Sequence, residues 1–230
     1  MSAVVYESLL RSIGHPTALT LTSAAFEESL CPHDPPDDTR WPTPSVFVQA
    51  RLLLSRLPHR QQVICGITAA ELTLPLWEEW AASASVGSRV RDVPRQALMH
   101  VYRWLSGDAP ATDLDAQIRS AEAAAEVAAR ASAGSEGRPS VLAYVARLAA
   151  EAADNAVYAA RTSPDDDPML RADRASQAVA KAARAVTHFQ GASGYDYGRV
   201  CAIFLTRWWN RCRCRLAVRD VDTAALNWMR

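Results

Sequence analysis

The stretch that most constrains the fold runs from Gln61 to Gly107, because it is apolar on more than one side. One row of apolar residues recurs at alternating steps of four and three, the period of an α-helix: Val63, Ile67, Ala70, Leu74, Trp77 and Ala81. A second apolar row lies on another side of the same helix: Leu72, Leu76 and Trp80. A helix that is apolar on two sides is buried, so the stretch predicts a buried central helix.

Proline and glycine punctuate this stretch. Pro75 lacks an amide hydrogen and its ring crowds the carbonyl four residues earlier, so we expect the central helix to kink there. A second helix is predicted to begin at Asp92, whose carboxylate would cap the amides ahead of Pro94, and to end at Gly107 in a left-handed turn. Its apolar stripe predicts packing against the first helix: Ala97, Leu98, Val101, Trp104 and Leu105.

The same stretch carries a resemblance to a known family. The residues concerned are Ala70 and Glu71, Leu74 to Glu78, Asp92 to Arg95, Ala97, Trp104 and Gly107. They resemble the motifs A-E-x-x-L-P-L-F-E, R-P-R-x-A-I and A-x-x-W-x-x-G of predicted all-helical immunity proteins from bacterial polymorphic toxin systems. The alanine-rich helices that follow carry the A-A-R units of the same pattern at Ala128 to Arg130 and Ala159 to Arg161.

The resemblance covers roughly residues 60 to 190 and leaves residues 1 to 58 and 191 to 230 outside. It implies a helical protein without chemistry of its own. Such a protein binds a cognate toxin stoichiometrically and neutralises it.

Composition places the chain among ordinary globular proteins. The 230 residues carry no net charge and 49% of them are apolar, which argues against a tail-driven nucleic-acid binder. The first ten residues lack a basic leader, and the longest later apolar run, Val200 to Leu205, is too short to cross a bilayer, so we expect a cytoplasmic protein. Five cysteines without disulfide-framework spacing predict reduced thiols: Cys31, Cys65, Cys201, Cys212 and Cys214.

The pattern as a whole predicts an all-α protein, a multi-helix bundle of about eight or nine helices with a kinked central helix. Residues 1–44 are interpreted as a helical extension and a proline-rich connector, and residues 45–230 as an alanine-rich domain that ends in an arginine-striped helix. Three alanine-rich helices are expected in that domain. They would begin near Thr112, where Asp115 completes a capping box, at Pro139, and at Pro168 after an Asp167 cap.

The last helix is unusual in its charge. Arginines stand at successive steps of four, at positions 207, 211, 215 and 219, beside an apolar edge made of Ile203, Phe204, Trp208 and Cys212. Like charges at this spacing repel one another, so the stripe requires an acidic counterpart in this protein or in another.

No catalytic, phosphate-binding or zinc motif stands in the chain, and neither an enzyme activity nor a cofactor is predicted. Cys212 and Cys214 point to different sides of a helix, so zinc binding by both would require the helix to break. A solvated loop accounts for the acidic segment around His33 better than a cation site does. Glutamates 71, 78 and 79 are interpreted as caps, as ion-pair partners of Arg95 or Arg103, or as partner contacts.

Tryptophan and arginine dominate the energetics of protein interfaces, so five residues are predicted to contact the toxin: Trp41, Arg207, Trp209, Arg211 and Arg215. The alternative is a nucleic-acid-associated helical module that uses the same last helix. A third interpretation packs this helix intramolecularly against the acidic Asp165 to Asp167 turn and the glutamates. An enzyme whose site is assembled from distant residues is also left open.

Overall fold

The computed structural model describes residues 54–163 and 165–191, with Phe47, Ala50, Arg51 and six helical positions of the last helix, 204, 207, 208, 211, 212 and 215. The described part contains six bounded α-helices: α1 (His59–Ser83), α2 (Ser88–Arg91), α3 (Val93–Ser106), α4 (Leu114–Ala133), α5 (Arg138–Arg161) and α6 (Pro168–Gly191). A short 3-10 helix, Ala111–Asp113, precedes α4. Strands are absent from the described residues, so the all-α class is confirmed. The predicted extension and proline-rich connector, residues 1–44, lie outside them.

The central helix is confirmed. Every residue of α1 from Gln62 to Ala70 is buried, because α5 and α6 pack along it. Helix α5 also packs against α4 on another side, which places α5 at the centre of the bundle. Helix α1 runs through Pro75 as one helix of 25 residues, with Pro75 exposed, and the kink there stays a prediction.

Helix α3 packs differently from its prediction. Its apolar stripe is buried, with Ala97, Leu98, Val101 and Leu105 each at most 1% exposed. Its backbone nevertheless lies closer to α4 and α5 than to α1, because long side chains separate α3 from α1. Those side chains still connect the two helices: the Trp104 ring lies edge-on to His59 of α1, with 5.8 Å between the ring centroids. The packing of α3 on α1 is therefore a side-chain contact.

The predicted helix ends are confirmed at two of four places. Gly107 has a φ of 86° and closes α3, and the Asp167 carboxylate accepts a hydrogen bond from the Met169 amide at 2.8 Å at the start of α6. The Asp92 cap was wrong, because Asp92 has helical backbone angles and joins α2 directly to α3. The capping box at Thr112 was also wrong, since this residue lies in the 3-10 helix and α4 begins without a side-chain cap.

Alanine and glycine let the three central helices approach closely. Four alanines of α6 are fully buried against its neighbours: Ala172, Ala175, Ala178 and Ala182. Gly66 of α1 lies where these helices meet, and a Cβ atom added to it would lie 3.4 Å from the Cα atom of Ala175 and 3.8 Å from that of Ala156. This position therefore accepts one methyl group at van der Waals contact and nothing larger.

We accordingly expect Gly66→Ala to change the free energy of unfolding by no more than about 1 kcal/mol, since the gain in helix propensity offsets the tight contact. Gly66→Leu forces helices apart and should destabilise the protein by about 2–3 kcal/mol. Urea unfolding of the two variants measures the difference. Equal midpoints for alanine and leucine would show that the close approach is not required.

Candidate functional site

The last helix is held against α1 by matched contacts along both helices. The Trp208 indole Nε1 donates a hydrogen bond to the Cys65 carbonyl at 2.9 Å. Further along, Arg215 Nη1 donates to Thr68 Oγ1 at 3.0 Å, and Nη2 lies 2.6 Å from Glu71 Oε2. The contacts advance in the same order in both segments. The last helix therefore runs parallel to α1.

An apolar edge fixes this helix on the core. Phe204, Trp208 and Cys212 are at most 4% exposed, and all three belong to the main hydrophobic cluster with residues of α1. The sequence period predicted this edge, and the described members confirm it. The fourth predicted member, Ile203, lies outside the described residues.

Beside this edge lies a buried polar cluster of Glu71, Arg215, Tyr102 and Thr68. The Tyr102 hydroxyl donates to Glu71 Oε1 at 2.6 Å and accepts from Arg215 Nη1 at 2.8 Å. The Thr68 hydroxyl, which also accepts from Arg215, donates to the Ile64 carbonyl at 2.7 Å. The Glu71 side chain is 1% exposed and that of Arg215 is 20% exposed, so the pair joins α1, α3 and the last helix largely away from water.

The charges in this cluster depend on each other. Burial raises the pKa of Glu71, and the attraction of Arg215 only partly opposes that shift. Burial also acts to lower the pKa of Arg215, but the Glu71 charge outweighs it and the pKa rises. Burial and the neighbouring Glu71 raise the pKa of Tyr102, so its hydroxyl stays protonated as a donor. Glu71 thus needs the last helix in place to remain a compensated buried charge.

Two reduced thiols lie at the same contact. Cys65 and Cys212 are free and fully buried, and the Cys212 thiol lies within hydrogen-bonding reach of the Cys65 thiol and the Thr68 hydroxyl. Burial raises the pKa of the Cys212 thiol well above its usual value. A protonated, buried thiol is unreactive and packs as a small apolar group. Reduced cysteines are therefore confirmed for this pair, while Cys31, Cys201 and Cys214 lie outside the described residues.

The arginine stripe divides between the interior and the surface. Arg207 and Arg211 are exposed, one turn apart, on the flank of the last helix. Arg215 turns inward, where Glu71, Thr68 and Tyr102 bind its guanidinium. The acidic counterpart of Arg215 is therefore in α1 and not in the Asp165 to Asp167 turn. Of the five predicted partner residues, Trp41 and Trp209 lie outside the described residues, so Arg207 and Arg211 are the two that the structure places at the surface.

The other glutamates of the central helix have separate environments. Glu78 pairs with Arg95 of α3, whose Nη2 lies 2.7 Å from Glu78 Oε1 and whose Nε donates to the same oxygen at 2.8 Å. One of the predicted ion pairs is thus confirmed, while Glu79 is exposed. Sequence reasoning missed Tyr102, Thr68 and the role of Glu71. The available signal was that Thr68, Glu71 and Thr73 are polar residues in a helix predicted to be buried on two sides.

These features define the class of the protein as an all-α bundle whose last helix is locked on the central helix by a buried ion pair and a tryptophan. Within the described ranges, no three histidine, cysteine, aspartate or glutamate side chains are gathered in a way that could hold a metal ion. None of the helices described has the length and apolar character needed to cross a lipid bilayer. Comparison of the chain with protein families, curated proteins and solved structures gives no match.

Proposed function

We propose that this protein binds and neutralises a cognate protein toxin by stoichiometric contact, as an immunity-type protein of the cytoplasm without chemistry of its own. The resemblance of Ala70 to Glu78 and of Asp92 to Gly107 to the motifs of helical immunity proteins supports this proposal. Both segments belong to the scaffold on which the last helix is docked.

The observation that carries the proposal is the exposed arginine pair on an anchored helix. Arg207 and Arg211 are exposed, while Trp208, Cys212 and Arg215 bind the same helix to the core. Arginine is enriched among residues that dominate binding energies. A helix held in place by its other face loses little conformational freedom on binding, and this preorganisation favours tight association. The pair suits an acidic surface on the toxin.

Co-expression with the toxin encoded beside this chain tests the proposal. We expect protection of the host cell and a one-to-one complex that co-purifies. The double variant Arg207→Gln with Arg211→Gln should bind the toxin at least tenfold more weakly, the scale of a hot-spot loss, while its unfolding midpoint stays unchanged. Arg130→Gln is a matched control, because Arg130 is exposed on α4 and pairs only with Glu126 of the same helix.

Unchanged killing together with no co-purification would contradict the proposal. The nucleic-acid interpretation rests on the same two arginines and makes a different prediction. DNA or RNA binding would weaken steeply with salt, by several powers of ten for six or more phosphate contacts. Such a titration with the double variant as control, positive in the absence of toxin binding, would replace the toxin partner with nucleic acid.

A further inference from the structure

A second polar region lies on the other side of the bundle, where α4, α5 and α6 meet. Asp154 of α5 is half-buried there, and its Oδ1 atom is fully buried without a hydrogen bond from any described residue. The charged groups that face it are Glu122 of α4, Glu151 of α5 and Arg174 of α6. Two carboxylates and one guanidinium thus surround a carboxylate that has no donor of its own.

The neighbouring donors are engaged elsewhere. Arg174 donates to Asn155 Oδ1 at 3.5 Å, and its guanidinium lies 4.5 Å from the centroid of the Tyr158 ring. The Tyr158 hydroxyl donates to Glu122 Oε1 at 3.1 Å. Glu151 takes the two remaining cations of the region, with Arg147 Nε at 2.7 Å and Lys181 Nζ at 2.5 Å. Asp154 therefore gains a hydrogen bond most directly by becoming a donor itself.

Protonation would supply that donor near neutral pH. Burial, followed by the nearby charges of Glu122 and Glu151, raises the pKa of Asp154 to about 7, against the opposing effect of Arg174. A protonated carboxyl can donate to one of the surrounding carboxylates, whereas an ionised one repels them.

Helix α4 is the element most exposed to this repulsion. Its buried contacts are largely small side chains: Ala121, Ala124, Ala125 and Ala128. Each alanine buries little apolar area, so few large contacts compensate for a charge conflict at this joint. Its polar ties to α5 are the Tyr158–Glu122 hydrogen bond and the exposed Arg161–Asp115 ion pair, at 2.8 Å.

We propose that Asp154 makes the attachment of α4 to α5 and α6 depend on pH, so that the joint is closed at mildly acidic pH and loosens as the pH rises through neutrality. The folded joint binds the proton more tightly than the opened chain does. The stabilisation it provides is therefore fully present below the ordinary pKa of an aspartate, about 3.9, and is lost as the pH rises through about 7.

Amide hydrogen exchange of the full chain tests this proposal. After correction for the intrinsic exchange rate, protection of α4 amides should fall by up to about tenfold per pH unit between pH 5 and 7 and level off above. In Asp154→Asn, whose amide carries no charge and keeps two donors, α4 protection should stay flat over this range. Asp113→Asn is the control, because Asp113 is exposed just before α4, and it should behave as the wild type.

Glu122→Gln gives a second, independent measurement at an exposed residue. Removing one like charge should move the fall in α4 protection to higher pH, because the remaining changes at this position affect the release of the proton in two opposed ways only if Tyr158 loses its acceptor, which glutamine retains. A shift to lower pH is the expected direction for Asp154 itself, since its pKa is raised by Glu122. The proposal is overturned if wild-type α4 protection is independent of pH, or if Asp154→Asn keeps the wild-type slope.

Discussion

Replacing Arg215 by methionine is expected to lower the free energy of unfolding by about 3–5 kcal/mol at neutral pH, the scale found when one partner of a buried ion pair is removed. The reason is that Glu71, whose side chain is 1% exposed, would keep its charge without a compensating cation. Urea unfolding at pH 7 measures the effect. Arg207→Gln is the matched control on the same helix, because Arg207 is exposed, and it should unfold at the wild-type midpoint.

The pH dependence of this variant identifies the cause. Without Arg215 the pKa of Glu71 should rise further, because the attraction that opposes burial is gone. A carboxyl with a raised pKa in the folded state contributes stability at low pH and loses it as the pH rises. The destabilisation of Arg215→Met should therefore be smaller at pH 5 than at pH 8. An equal loss at both values would show that packing, and not the unpaired carboxylate, is responsible.

Replacing Trp77 by alanine should cost about 3–5 kcal/mol, the range measured for removal of large aromatic residues from protein cores. Trp77 is completely buried, and its ring centroid lies 5.3 Å from that of Trp80. Its indole Nε1 also donates to the Arg91 carbonyl at 2.7 Å, which holds α2 beside α1. The variant loses packing and leaves that carbonyl without this donor.

Trp104→Ala provides the comparison for this prediction, since Trp104 is only half-buried against His59. It should destabilise the protein less than Trp77→Ala does. Trp77→Phe keeps an aromatic ring without the indole N–H and should fall between the two, with about 1–3 kcal/mol lost from the unmet carbonyl. The three urea midpoints give the order, and a Trp104→Ala variant as unstable as Trp77→Ala would contradict the assigned roles.

These stability effects bear on the proposed toxin contact. Arg215→Met is expected to weaken toxin binding only because it loosens the helix that carries Arg207 and Arg211. The double glutamine variant at those two positions should weaken binding without loss of stability. Measuring both properties for both variants separates the residues that would touch the toxin from the residue that positions them.

The arginine stripe shows how far sequence reasoning extended. Its four-residue period correctly indicated a charged helix beside an apolar edge that required an acidic counterpart. The period could not distinguish Arg215 from Arg207 and Arg211, because spacing along one helix does not show which flank a neighbouring helix covers. Glu71 was similarly recognised as a motif residue, but its partner could not be assigned.

The all-α class, the buried central helix and the helix ends at Gly107 and Asp167 were determined by the sequence alone. Hydrophobic period and the backbone preferences of glycine, proline and capping side chains act within a few residues, so they can be read along the chain. The caps at Asp92 and Thr112 failed because neighbouring turns overrode those local preferences. Only the tertiary structure decided the Glu71, Tyr102 and Arg215 cluster. Its members lie far apart in sequence, with 147 residues between Thr68 and Arg215, and burial selects such partners only when the helices dock.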